Sequence, residues 1–212
     1  MIGIISEGTS DQAIITNILS GVCKIDSSEI TYIRPVDNVD ETDINGNGNL
    51  TLGGWSRVKM ECESKELIDQ FLTIEGNEYI ILHIDTAECQ DYGIDRPVKN
   101  KEYCKNLRKL VIDEIKTWLG DYPNDFAIYA VAIEEIDAWL LTIYDKKDSS
   151  TSAKPKEKLE NKIKGKAPTN FDEGFQISKA FRKSRNFIRE NYRDFNCSLD
   201  LFCSEIEEKI CG

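Results

Sequence analysis

Apolar residues along this chain follow two alternating rhythms. Residues 2–6 form a short apolar run, and after Glu7-Gly8-Thr9-Ser10-Asp11 come Ala13, Ile14, Ile18, Leu19 and Val22 at helical spacing. That order predicts strand, turn and amphipathic helix. Thr9 or Ser10 is placed to cap the helix, because a hydroxyl there accepts a hydrogen bond from the unpaired amides of the first turn. Residues 30–36 predict a second strand, closed by Pro35. Val58, Cys62, Leu67, Ile68, Phe71 and Leu72 mark another helix, and 79–84 is almost wholly apolar over a strand's length. Tyr103, Leu107, Leu110, Val111, Ile115 and Trp118 form a further helical stripe, and 126–133 supplies a fourth strand. Continuous apolar strands suit a parallel sheet covered on both faces. Repeated alternation of strand and helix predicts an α/β three-layer fold.

The character changes beyond Tyr144. Residues 145–166 are polar and Lys-rich and carry the Ser149 to Ser152 cluster, which reads as a linker or exposed segment. Helices without strands are predicted near 175–193 and 198–210. The organisation expected is therefore an α/β domain over 1–145 and a linker with a helical C-terminal segment over 146–212. Residues 37–54, rich in Asn, Gly and Asp, read as a loop. Within it Asp43-Ile44-Asn45-Gly46-Asn47-Gly48 matches the first half of a calcium loop, but Gly54 stands where the bidentate glutamate belongs. The loop's glycines also lack the Lys-Ser/Thr ending of a phosphate loop.

Composition narrows the classes. With 38 acidic and 27 basic residues among 212, the net charge is −11, which excludes a uniformly basic nucleic-acid coat and leaves room for a local basic patch. The longest apolar run, 126–133, falls far short of the ~20 residues a membrane-spanning helix needs. The opening residues carry no basic region ahead of an apolar core, so a cytoplasmic protein is expected. Seven cysteines, an odd number without a Cys-x-x-Cys pair, predict reduced, mostly buried thiols rather than a disulfide framework or a zinc ribbon.

Three of the four predicted strands run directly into acids at the carboxyl edge, where open α/β sheets gather their sites. The first gives Glu7 and, one turn on, Asp11. The third gives His83, Asp85 and Glu88, and the fourth gives Glu134, Glu135 and Asp137. Converging carboxylates repel one another unless a cation neutralises them, and hard oxygen donors suit magnesium or manganese. Singly, each acid has an ordinary role open to it. Asp11 can be a first-turn acid favoured by the helix dipole, Glu134 or Glu135 can open a helix, and His83 can be a hydrogen-bonded core histidine.

Glu7-Gly8-Thr9-Ser10-Asp11 resembles the Glu-Gly-x-x-Asp/Glu start of Toprim domains, shared by primases, topoisomerases and OLD-type nucleases, and His83-Ile84-Asp85 occupies the place of their Asp-x-Asp. Together with Gly54-Trp55-Ser56-Arg57-Val58, Asp85-Thr86-Ala87-Glu88-Cys89 and Glu135-Ile136-Asp137-Ala138-Trp139, these segments resemble a bacterial and phage family of uncharacterised Toprim-like proteins. The resemblance covers about 1–145 and extends more weakly to Lys154-Pro155-Lys156 and the tail around Cys197. It implies a Toprim-like, Rossmann-like fold with a mainly parallel sheet, flanking helices and a C-terminal helical appendage. It also implies metal-dependent phosphodiester or phosphoryl chemistry on nucleic acid, in conflicts with phages or mobile elements. Catalytic roles would fall to Glu7, Asp11 and Asp85, and magnesium or manganese to Glu7, Asp85, Glu88, Glu135 and Asp137, with His83 a further candidate. His83 replaces the first Asp of the pair and removes a negative charge. The alternative is therefore a catalytically impaired regulatory or adaptor protein working with an ATPase of the ABC or OLD type.

Charge is unevenly distributed. Residues 151–195 hold 12 basic against 6 acidic residues, and the rest of the chain 15 against 32. On a continuous helix over 175–193, Lys179, Arg182, Arg185, Arg189 and Arg193 would share one face opposite Ile177, Phe181, Ile188 and Tyr192. Such a stripe suits either salt bridges to the acidic body or a track of nucleic-acid phosphates. Arg57 and Lys59 are positioned to extend it.

Overall fold

A computed structural model describes residues 1–35, 54–74 and 76–211. The predicted loop over 37–54 and its partial calcium pattern lie almost wholly outside the described residues. Four strands, β1 (Ile2–Ile5), β2 (Ile30–Arg34), β3 (Tyr79–Asp85) and β4 (Ala127–Ala132), form one all-parallel sheet in the order β2-β1-β3-β4. The chain leaves β1 outward to β2 and returns to β3 on the other side of β1. The residues following β1 and β3 therefore meet at a topological switch point, where crevices open in such sheets.

Helices cover both faces, as the continuously buried strands require. On one face α2 (Gly54–Ser64), α3 (Glu66–Leu72) and α4 (Tyr103–Leu119) bury Val58, Phe71, Leu107 and Val111 against Ile80, Leu82 and Ile84. On the other, α1 (Thr9–Cys23), α5 (Asp137–Tyr144) and α6 (Pro155–Ile163) pack with α7 (Phe171–Ile177), α8 (Arg185–Asn191) and α9 (Cys197–Lys209) over Ile4, Ile81 and Ile128. The C-terminal helical segment thus shares the core of the sheet. Phe202 of α9 stacks on the fully buried Trp139 of α5, with ring centroids 5.4 Å apart.

β4 is an edge strand, and unpaired edge groups invite further strands unless they are covered. Here α4 and α9 cover them. Arg108 donates to the Tyr129 carbonyl, Tyr129 N–H donates to Glu205, Lys209 donates to the Ala127 carbonyl, and Arg108 and Glu205 pair with each other at 2.6 Å.

Several local expectations are corrected. The helix predicted from 58 to 72 is two helices, separated at Lys65 in the left-handed conformation (φ 62°). The helix predicted over 175–193 is broken into α7, a 3₁₀ turn over 179–182, α8 and a second 3₁₀ turn over 193–195. Residues 145–166 contain α6, and Ser149 is buried, donating to the Ala138 and Phe195 carbonyls. The cap of α1 is Gly8, whose N–H donates to Asp11 Oδ2 at 2.8 Å, in place of a Thr9 or Ser10 hydroxyl. Cys23 and Cys211 form a disulfide, so the reading of all the thiols as reduced does not hold for this pair. Their sequence separation of 188 conceals a proximity that only the packing of α1 against α9 creates. The other five cysteines are free. Among the described residues no helix is long and apolar enough to cross a membrane.

Candidate acidic active site

At the switch point a cavity of about 200 Å³ is lined by Glu7, Trp55, Asp85, Ala87, Glu88 and Glu135. Glu7 follows β1, Asp85 ends β3, and Glu135 follows β4, so the three acid-bearing strand ends meet in one place. Asp85 N–H donates to Glu7 Oε1 at 2.7 Å across 78 residues of sequence, and Ile136 N–H donates to Asp85 Oδ1 at 2.9 Å. Helix α2 begins directly over Glu7, and only a glycine permits that approach. A β-carbon on Gly54 would lie 2.6 Å from Glu7 Cβ.

Asp11, Asp137 and His83 stand close by. His83 alternates with Leu82 and Ile84 along β3 and so turns toward α1 and α5, edge-on to Trp139. It is fully buried, with Nδ1 3.7 Å from Asp11 Oδ2 and Nε2 3.4 Å from Asp85 Oδ1. Neither ring nitrogen has a hydrogen-bond partner among the described residues. The expectation of an ordinary hydrogen-bonded core histidine is corrected: the imidazole is wedged between two carboxylates.

The electrostatics follow from this crowding. Burial, then the nearby Asp85 carboxylate, pushes Glu7 up to about 8 from its ordinary 4.5. Burial and Glu135 push Asp137 up to about 7, with the Lys156 ammonium pulling the other way. Asp85 is raised well above its usual range by burial and by Asp11, Asp137 and Glu135, and Asp11 is raised by burial against the opposing pull of His83. Carboxylates held in proximity at this cost match the donor set of a hard divalent cation, whereas His83, fully buried beside Asp11 and Asp85, does not line the cavity. Glu7, Asp85 and Glu135 would hold such an ion, with Asp137 and Glu88 at the margin. Among the described residues no three donors already converge on one coordination point.

Glu134, the first acid after β4, is committed elsewhere. It adopts φ 65°, its N–H donates to Thr86 Oγ1, and its carboxylate takes a 2.7 Å bond from Arg96. Arg96 also donates to the Thr86 and Ala87 carbonyls and to Tyr103 Oη, tying the loop after β3 to the loop after β4. Replacing Arg96 with methionine leaves Glu134 half-buried without its counter-charge. The expected loss is about 2 kcal/mol of stability, read as a lowered midpoint in guanidinium unfolding with unchanged slope.

Two residues to which the pattern assigns no role belong to the site. Trp55 forms one wall, packed on Tyr92 with centroids 5.3 Å apart. Lys156, second in α6, faces Asp11 and Asp137, and its N–H approaches Glu135 Oε2 at 3.3 Å. The Lys-Pro-Lys sequence was the available signal, since Pro at the first helical position marks a helix start.

The predicted basic stripe lies away from this cavity. Arg185 donates to the Val22 carbonyl in the last turn of α1 and Arg182 faces Asp26 just past it, at the far end of a helix whose 15 residues span about 22 Å. Arg185 and Arg189 approach Glu207 at 3.8 and 3.5 Å, and Arg182 stacks over Phe175. Arg193 is only 6% exposed and donates to Asp200, Ser204 and Glu207. Lys179, Arg182 and Arg57 have exposed side chains. Arg193→Met is expected to cost roughly 1–3 kcal/mol in urea unfolding, because it removes a buried guanidinium's bonds to Asp200, Ser204 and Glu207 and leaves Glu207 only the more distant Arg185 and Arg189. A phosphate-tracking arginine would instead leave stability unchanged.

The molecule is thus an α/β protein with a parallel sheet and an acidic cavity at its carboxyl edge. No family model, curated protein or solved structure matches the chain.

Proposed function

We propose that the acidic cavity is the active site of a Toprim-like, magnesium- or manganese-dependent phosphodiesterase acting on nucleic acid. The observation that carries this reading is the meeting of Glu7, Asp85 and Glu135 in one cavity at the switch point. A bound divalent ion supplies polarisation of the phosphate and activation of water. The chain's own residues supply the rest. Glu7, whose Oε1 accepts from the Asp85 amide, is suited either to hold the ion or to move a proton at its Oε atoms. Lys156 brings a cation to the edge of the acids, where it would meet an incoming phosphate. Arg57, exposed in the first turn of α2 two residues beyond Trp55, is the cation of the predicted binding set that lies nearest the cavity in sequence.

The test is incubation of the purified chain with single- and double-stranded DNA and RNA in manganese or magnesium. Cleavage that disappears in Glu7→Gln and Asp85→Asn supports the reading. Cleavage that persists unchanged in both, or its absence with every substrate and metal, overturns it.

His83 favours a second reading. An imidazole wedged between Asp11 and Asp85 puts a ring where the resembled motif has an oxygen donor, which suits a catalytically impaired adaptor for an ATPase. That reading expects no cleavage under any condition and a stable complex with an ATPase.

A further inference from the structure

Away from the acids, two cysteines meet where α4 and α9 begin. Cys104 is the second residue of α4 and Cys197 the first of α9, the two helices pack together, and Cys197 lies against the buried cluster that contains Cys104, near enough for the two thiols to act on one another. The two helices run side by side from there. Farther along, the Arg108–Glu205 pair joins them again over β4. The ends are held from both sides. Cys197 N–H donates to Ser150 Oγ, and the next residue, Ser198, accepts from Trp139 Nε1. Tyr103, beside Cys104, accepts from Arg96.

We propose that Cys104 and Cys197 form an oxidant-responsive dithiol, in which a hydroperoxide oxidises Cys197 and Cys104 resolves the product as an intramolecular disulfide between the starts of α4 and α9. The asymmetry of the pair assigns the roles. Cys197 is half-buried and reachable from solvent, whereas Cys104 is 4% exposed. Cys197 sits at the start of a 13-residue helix, where the helix dipole favours a thiolate. The neighbouring Cys104 thiol and the Lys105 ammonium lower it, against burial, Asp200 and Asp148, while Cys104 is raised by the adjacent Cys197 and by burial, against Arg108. The remaining free thiols lack these features. Burial pushes Cys62 and Cys203 up to about 12, and Cys89 is raised by burial as well.

The chemistry balances with one hydroperoxide. The Cys197 thiolate sulfur attacks a peroxide oxygen and the O–O bond breaks. The second oxygen leaves as hydroxide and takes a proton to become water. Sulfur is thereby oxidised to a sulfenic acid and the peroxide is reduced. The Cys104 sulfur then attacks the sulfenic sulfur, the S–O bond breaks, and the departing oxygen leaves as water with the Cys104 proton. Two thiols and one hydrogen peroxide become one disulfide and two waters.

The experiment uses the full chain treated with hydrogen peroxide, denatured in iodoacetamide, digested without reductant and analysed by mass spectrometry. The expected product is a cross-linked pair of peptides carrying Cys104 and Cys197, with Cys62, Cys89 and Cys203 recovered alkylated. In Cys104→Ser, dimedone present during oxidation should label Cys197 about 10-fold or more faster than Cys203. Recovery of both Cys104 and Cys197 as alkylated thiols from the wild-type chain, or labelling of Cys197 no faster than Cys203, would overturn the proposal. The wild-type readout does not depend on how the variant folds.

Discussion

Glu7→Gln is expected to stabilise the metal-free protein, by an amount that grows as pH rises from about 5 to 8. The sign follows from linkage. Glu7 binds its proton up to about 8 in the folded chain, against an ordinary value of 4.5. Below the ordinary value both states are protonated and the group costs nothing. Between the two values the unfolded chain has released the proton and the folded chain has not, so stability falls with rising pH, levelling off above about 8. Asp137 adds a smaller term of the same sign up to about 7. Glutamine preserves the Oε1 acceptor for the Asp85 amide and removes the titration. The variant should therefore gain a few kcal/mol at pH 8, roughly 5 °C or more in melting temperature, and almost nothing at pH 4. Differential scanning calorimetry with a chelator, across that pH range, measures it. A Glu7→Gln melting curve that tracks the wild type at every pH would show that the Glu7 carboxyl is not held against its ionisation.

The second large effect is the response to metal. Manganese at a concentration 100-fold above its dissociation constant should stabilise the wild-type chain by about 2.7 kcal/mol, most visibly at pH 8, where the cost of assembled carboxylates is greatest. Asp85→Asn and Glu7→Gln should lose that stabilisation and, with it, at least ~100-fold of any manganese-dependent phosphodiester cleavage. The two readouts separate two failures. Metal-dependent stabilisation without cleavage leaves a cation site on a protein with the adaptor role. Cleavage unaffected by either variant moves the chemistry elsewhere in the molecule. The expected pairing makes Glu7→Gln more stable and less active at once, as it should be if its carboxylate is kept in place for function.

Legibility in the sequence depended on the range of the information. β1, β3 and β4 were visible because they are buried almost throughout and consist of nearly unbroken apolar runs, and β2, with Thr31, Tyr32 and Arg34 half-buried, was marked by its β-branched and aromatic residues. α1 and α4 were visible because each presents an apolar stripe to the sheet. Glu7, Asp85, Glu135 and Asp137 could be singled out because strand ends point to one edge whatever the details of packing. Errors arose where a neighbour in space overrode the local pattern. The stripe from Lys179 to Arg193 is helical in period, yet Phe181 and Tyr192 pack on each other edge to face and the chain breaks twice to let them. Arg193 consequently turns inward to Asp200 and Glu207.

By itself the sequence determined the layer architecture, the strands, and which acids stand at the carboxyl edge, since each follows from periodicity within about twenty residues. Only the tertiary structure decided the strand order that brings Glu7 to Asp85, the placement of His83 between two carboxylates, and the joining of Cys23 to Cys211. It alone also decided the meeting of Cys104 with Cys197 and the removal of the arginines to the far end of α1. These are contacts between segments distant along the chain. Their free energy depends on how whole layers pack, and no local pattern of residues encodes it.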